Sequence, residues 1–143
     1  MTGEHLATAT TTVNARATVV WSALTDPAKI KQYLFGSDVT SEWKVGSSIS
    51  YAGEWEGEPY TDHGTILDLT APRLFRSTYF SPLGGKQDIP ENYHTITWML
   101  DEHGETTTVE VTQDNNESED AARRAEANWT SVLSELKTLL ELT

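Results

Sequence analysis

The feature that most constrains this chain is the spacing of apolar residues near its C-terminus. They fall at Ala122, Ala125, Trp129, Val132, Leu133, Leu136, Leu139 and Leu140. Gaps of three and four put them in one stripe along a helix, predicted to run about 22 to 24 residues from roughly Asp120 to Leu142. Asn116 or Ser118 can cap its start, where Glu117, Glu119 and Asp120 lie by the positive end of the helix dipole. Such a helix is not stable bare. It needs an apolar surface of comparable size elsewhere in the same chain.

The middle of the chain supplies one. From Ser37 to Gln113 the pattern is that of strands, predicted over Asp38–Glu42, Ser47–Ala52, His63–Thr70, Leu74–Phe80, Tyr93–Asp101 and Thr106–Gln113. The breaks carry turn chemistry: Gly46, Gly53 to Gly57, Ala71-Pro72, Pro82 to Gly85, and Asp101 to Gly104. Pro82 to Asn92 is the one long polar, Pro- and Gly-rich connection. Before these, Leu6–Val13 suits a Thr-rich strand. Ala17–Leu24 then reads as a short helix. A second begins at Asp26-Pro27, with Asp26 as N-cap and Pro27 at the first helical position, and stops near Gly36. Antiparallel strands with a long terminal helix define an α+β domain over 1–143 rather than βαβ units. The helix is predicted to lie across the sheet, and a pocket between them follows from that arrangement.

Composition narrows the function classes. The chain has 143 residues, 10 basic against 22 acidic, a net charge of −12 and no Cys. A negative field repels phosphate backbones and anionic bilayers, so neither nucleic acid nor membrane insertion is expected. Without Cys there are no disulfides, thiolate ligands or thiol nucleophiles, as suits a reducing compartment. No apolar run reaches the roughly 18 residues of a membrane span, and MTGEHLATATTTV lacks the basic and apolar regions of a leader. The expectation is a cytoplasmic protein. Five Trp, five Tyr and three Phe are more aromatics than a disordered chain carries.

The order of motifs resembles one family. Val20-Trp21-Ser22-Ala23-Leu24-Thr25-Asp26-Pro27 is similar to the opening helix and turn of the activator-of-heat-shock-protein-90-ATPase-like domains, within the START-like (SRPBCC) helix-grip superfamily. The similarity continues through Trp43-Lys44-Val45-Gly46, Gly64-Thr65-Ile66-Leu67-Asp68-Leu69, Pro72-Arg73-Leu74, Pro90-Glu91-Asn92-Tyr93 and Trp129 to Lys137. The resemblance implies a β-α-α-β6-α order, a curved antiparallel sheet of six to seven strands gripping the last helix, and a hydrophobic cavity beneath it. Members include lipid and polyketide binders, cyclases and co-chaperone domains, so the fold does not choose the activity. One departure is Tyr33-Leu34-Phe35, where the second helix of the family often ends in Trp and another aromatic. The eukaryotic co-chaperone carries a further N-terminal domain, whereas about a dozen residues precede the first helix here, so a chaperone partner is not expected. A homodimer stays open.

Individual residues point to binding rather than catalysis. In Tyr93–Leu100 the parity His94, Ile96, Trp98, Leu100 is the more apolar and is placed inward, as are Thr107, Val109 and Val111 on the next strand. His94 is then either a ligand contact or a core histidine satisfied by the protein. His63 follows Asp62, but neighbours on a strand point to opposite faces, so the two make no dyad without a bulge. Arg76 is the one cation in mid-strand, placed at the surface or at an acidic ligand group. Trp43, Tyr51, Trp55, Tyr60, Phe75, Tyr79, Trp98 and Trp129 offer apolar bodies, most with one polar handle, suited to core filling or to orienting a guest. No HxxxH, HxH, calcium loop, GxSxG, SxxK or P-loop occurs, so no metal, cofactor or catalytic residue is assigned.

The ligand-binding set is Trp43, Tyr51, Trp55, His63, Tyr79, His94, Trp98 and Trp129. The primary expectation is a binding protein for a hydrophobic or aromatic small molecule. The alternatives are a cyclase, aromatase or hydrolase using His94 or His63 as its acid–base group, and a protein-interaction domain.

Overall fold

The structure is a computed structural model describing residues 5–82 and 85–141, apart from the Trp55 side chain. Leu142 of the predicted helix, Leu83-Gly84 of the predicted turn and residues 1–4 lie outside the described residues. The order is β1 (Ala7–Val13), α1 (Ala17–Leu24), α2 (Pro27–Tyr33), β2 (Asp38–Ser41), β3 (Ser48–Trp55), β4 (Glu58–Thr70), β5 (Leu74–Tyr79), β6 (His94–His103), β7 (Thr106–Gln113) and α3 (Glu119–Glu141). This is the helix-grip fold: a long C-terminal helix, and two short helices between the first two strands. None of the described helices is long and apolar enough to cross a membrane.

Helix starts follow local chemistry. Asp26 Oδ1 accepts the Ala28 N–H at 3.0 Å, with Pro27 just inside α2. At α3 the cap is Ser118, whose Oγ accepts from Ala121 N at 3.1 Å. Asn116, the other capping candidate, is buried instead and donates to the backbone carbonyls of His5 and Gln113 at 2.6 and 2.9 Å.

The seven strands form one antiparallel sheet in the order β1-β7-β6-β5-β4-β3-β2. Strands β3 and β4 run further than Gly53–Gly57 suggested. Pairing continues out to Trp55 opposite Glu58, and the turn shrinks to Glu56-Gly57, both at positive φ. Residues 58–62, left outside the predicted strands, are therefore strand. On β4 a bulge between Ile66 and Asp68 resets the parity. Leu67 is left exposed, while Ile66 and Leu69 both face the core. Such bulges bend a strand, and this one lies where β4 passes from β3 to β5.

The inward parities hold as predicted: Ile96, Trp98 and Leu100 on β6, and Thr107, Val109 and Val111 on β7, are buried. The stripe of α3 meets them through Val132, Leu133, Leu136 and Leu140. Polar side chains of α3 also engage the outer strand of the sheet. Glu126 and Glu141 accept the N–H groups of Thr8 (3.4 Å) and Asn14 (2.8 Å), and Lys137 Nζ donates to the Thr12 carbonyl at 2.7 Å.

Candidate functional site

A cavity of about 890 Å³ lies between α3, α2 and the inward face of β3 to β7. Helix α2 and the residues after it contribute Ile30, Tyr33 and Leu34. The strands contribute Ile49, Tyr51, Tyr60, Asp62, Phe75, Tyr79, His94, Ile96 and Trp98, and α3 contributes Ala121, Ala125, Trp129 and Val132. Lys86, Glu91, Glu117 and Arg124 line it as well and are exposed, so the cavity reaches the surface beside the start of α3. Lys86 pairs with Glu117 at 3.2 Å across that opening. The wall mixes aromatic faces with polar groups, rather than being uniformly apolar.

Six of the eight candidate residues line this cavity: Trp43, Tyr51, Tyr79, His94, Trp98 and Trp129. Trp98 and Trp129 meet edge to face at 5.6 Å, and Trp129 Nε1 donates to Gln113 Oε1 at 2.8 Å. Trp43 packs edge to face on Phe75 at 6.1 Å, and its backbone has φ +57, a left-handed conformation few bulky residues adopt. The Trp55 side chain lies outside the described residues. His63 is placed apart from the cavity. It sits on the opposite face of β4, with Nε2 3.2 Å from Asp88 and its ring against Phe80 and Tyr93. Asp88 also accepts from the Tyr93 hydroxyl. This cluster fastens the segment before β6 to the outside of the sheet.

Asp62 takes the inward position that His63 lacks. It is only 7% exposed. The Tyr79 hydroxyl donates to Asp62 Oδ2, while Oδ1 is buried without a hydrogen-bond partner. Around it stand Tyr51, edge to face with Tyr79 at 5.7 Å, and Tyr60, whose hydroxyl meets Ser37 Oγ at 2.7 Å. Sequence reading named Tyr60 only among the aromatics and left Asp62 and Ser37 out of the candidate site, because it started the strand at His63. The alternation Tyr60, Asp62, Gly64, Ile66 was the available signal.

Burial, then the Asp62 charge, holds the Tyr79 phenol well above its usual value of 10.0. Burial also raises Tyr51, against a hydrogen bond with Ser77 that lowers it, and Tyr33 is raised chiefly by burial. All three stay neutral donors at any physiological pH. In the unfolded chain these phenols ionise near 10, so above that pH the unfolded state has lost protons that the folded state keeps. Stability is therefore expected to fall as pH rises past 10, and the phenolate absorbance of these three should appear only with unfolding. A spectrophotometric titration followed beside circular dichroism checks both.

His94 lines the cavity with its Nδ1 2.8 Å from the Asp114 backbone carbonyl. A carbonyl only accepts, so Nδ1 carries the proton and, in the neutral ring, Nε2 is left as an acceptor. The predicted alternatives for this residue are thus joined: a protein partner satisfies one nitrogen, and the ring still borders the cavity. Arg76 takes the surface option, on the outer face with Nε 3.4 Å from Thr97 Oγ1.

Solved structures of this shape are numerous. Protein ChR145 from Cytophaga hutchinsonii is 46% identical, with a TM-score of 0.84 over 95% of this chain and 93% of that one. The Aha1 dimer from Colwellia psychrerythraea is 20% identical, with a TM-score of 0.75 over 95% and 96%. CalU16 from Micromonospora echinospora is 21% identical, with a TM-score of 0.73 over 92% and 73%. Among curated proteins no sequence match is found. The family model described as Activator of Hsp90 ATPase homolog 1-like protein matches residues 14–141.

Proposed function

The chain belongs to the Activator of Hsp90 ATPase homolog 1-like protein family, and we propose that it serves as a binding protein for a small, largely apolar or aromatic molecule held between sheet and α3. The observation that carries this reading is the cavity itself. About 890 Å³ is within the range of drug-sized ligand sites, which run to about 1,000 Å³. A side-chain-filled core leaves few voids larger than a water. Trp98, Trp129, Trp43 and Tyr51 supply flat apolar area, and the phenols and His94 supply a few fixed polar atoms. That division of labour is how a pocket holds and orients a guest.

The test uses the five tryptophans as reporters. A neutral hydrophobic fluorophore such as N-phenyl-1-naphthylamine, titrated into the protein, is expected to quench tryptophan emission with saturation near one equivalent. Ala125→Trp places a large ring on the cavity face of α3 and is expected to weaken that binding by roughly tenfold or more while the thermal melt stays cooperative. Absence of saturable binding, or binding indifferent to Ala125→Trp, would overturn the reading.

One observation favours an acid–base enzyme as the second reading: His94 offers Nε2 as an acceptor beside a cavity that also holds Asp62 and Tyr79. His94 and Tyr79 are direct cross-strand neighbours with ring centroids 6.5 Å apart, so both border the same part of the cavity. Turnover of a cyclisable polyketone that is lost in His94→Ala and retained in His63→Ala would support this reading.

A further inference from the structure

Asp62 oxygen Oδ1 is the one buried side-chain polar atom without a partner among the described residues, and its residue lines the cavity. Its sister oxygen is engaged by Tyr79, and the hydroxyl of Tyr60 meets Ser37. Among the described residues, no Lys, Arg or His pairs with Asp62. The cations that line the cavity, Lys86 and Arg124, are on exposed positions at its opening. A carboxylate removed from water with one lone oxygen is costly unless a donor, preferably a charged one, completes it.

We propose that the molecule this cavity takes carries a protonated amine on its apolar body, and that the amine donates to Asp62 Oδ1. The proposal rests on the binding role argued above and names the chemistry of its ligand. An ammonium group satisfies both needs of the site, because it supplies the missing hydrogen bond and cancels the buried charge. A hydroxyl supplies only the first, and a carboxylate would add a second like charge. Hydrogen bonds between ionised partners are about twice as strong as neutral ones. The surroundings agree: Trp43, Tyr51, Tyr79 and Trp98 present aromatic faces, which attract cations, and the Tyr phenols are neutral. A net charge of −12 also draws cations toward the protein and repels anions.

Four probes with one 2-naphthylethyl body test this at neutral pH: the amine, the alcohol, the chain-extended carboxylate and the bare hydrocarbon 2-ethylnaphthalene. Calorimetry or tryptophan quenching is expected to rank the amine tighter than the alcohol by roughly tenfold, with the carboxylate weakest. Asp62→Asn keeps the shape and still offers Tyr79 an oxygen. It is expected to bring amine and alcohol within about threefold of each other while the alcohol itself binds much as before. Glu117→Gln, which removes a negative charge at the opening, is expected to keep the amine preference and so separates a specific contact from the general field. An amine no tighter than the alcohol, or a preference that survives Asp62→Asn, overturns the proposal. If the hydrocarbon binds and the amine gains nothing, the cavity reading stands and this one falls. If no probe binds, both fall.

Discussion

Gly64→Ala is expected to leave little folded protein. A Cβ built at Gly64 would lie 1.8 Å from the Thr78 carbonyl oxygen and 2.5 Å from its carbon. Those are backbone atoms of β5, and they have no rotamer to move into. Strands β4 and β5 are fixed at this level by the reciprocal bonds between His63 and Phe80, at 3.0 and 2.8 Å, and by Thr65 N donating to Thr78 Oγ1 at 2.9 Å. Relief requires the strands to part where Asp62 and Tyr79 also meet. Overpacking of this kind costs about 3 kcal/mol or more, a large part of the roughly 5–15 kcal/mol that holds a domain together. Gly53→Ala gives the contrast. There the new methyl would meet the Tyr60 ring, with its hydroxyl oxygen at 2.7 Å, and a side chain can yield. Urea unfolding of the two variants should differ sharply. Equal midpoints would mean that the close approach of β4 to β5 is not a feature of the fold.

Leu136→Ala is expected to cost about 2–5 kcal/mol, the range for emptying a leucine site in a packed core. Leu136 is fully buried at the centre of the α3 stripe and is not part of the cavity wall. Its loss weakens the clasp on the helix without altering the groups a ligand would touch. At about 2–4 °C per kcal/mol for a chain near this size, the melting temperature should drop by several degrees or more. Leu139→Ala, on a half-buried position of the same helix, should cost clearly less. A melt in which the two variants coincide would contradict the assigned face of the helix.

The sequence revealed most where a residue's position followed from its neighbours alone. The α3 stripe, the Asp26-Pro27 start of α2 and the inward parity of β6 depend on local periodicity and capping, and each stands in the structure as predicted. What escaped was decided by pairing across the sheet. Gly53 and Gly57 resemble the ends of a long break, yet Gly53 is inside β3, opposite Tyr60. Only the register with β4 reveals that, and with it the inward turn of Asp62. The same error in one strand start put His63 in the candidate site and left its neighbour out. A period-2 pattern says which residues share a face. It does not say which face is inside when a charged residue sits among the buried ones.

The grip of α3 on β1 has a consequence for how copies of this protein could meet. A sheet ends in two strands whose outer backbone groups can recruit a foreign chain. On β1 and the residue after it, the side chains of Glu126, Lys137 and Glu141 already engage backbone groups of Thr8, Thr12 and Asn14. The other end, β2, offers four residues, and its Asp38 is tied to Lys31 at 2.9 Å. Neither end is an easy template for strand-to-strand growth. The fold thus guards itself against fibrillar self-assembly with the same helix that roofs its cavity, and any pairing of two molecules would more readily use helix or sheet surfaces than a shared ladder.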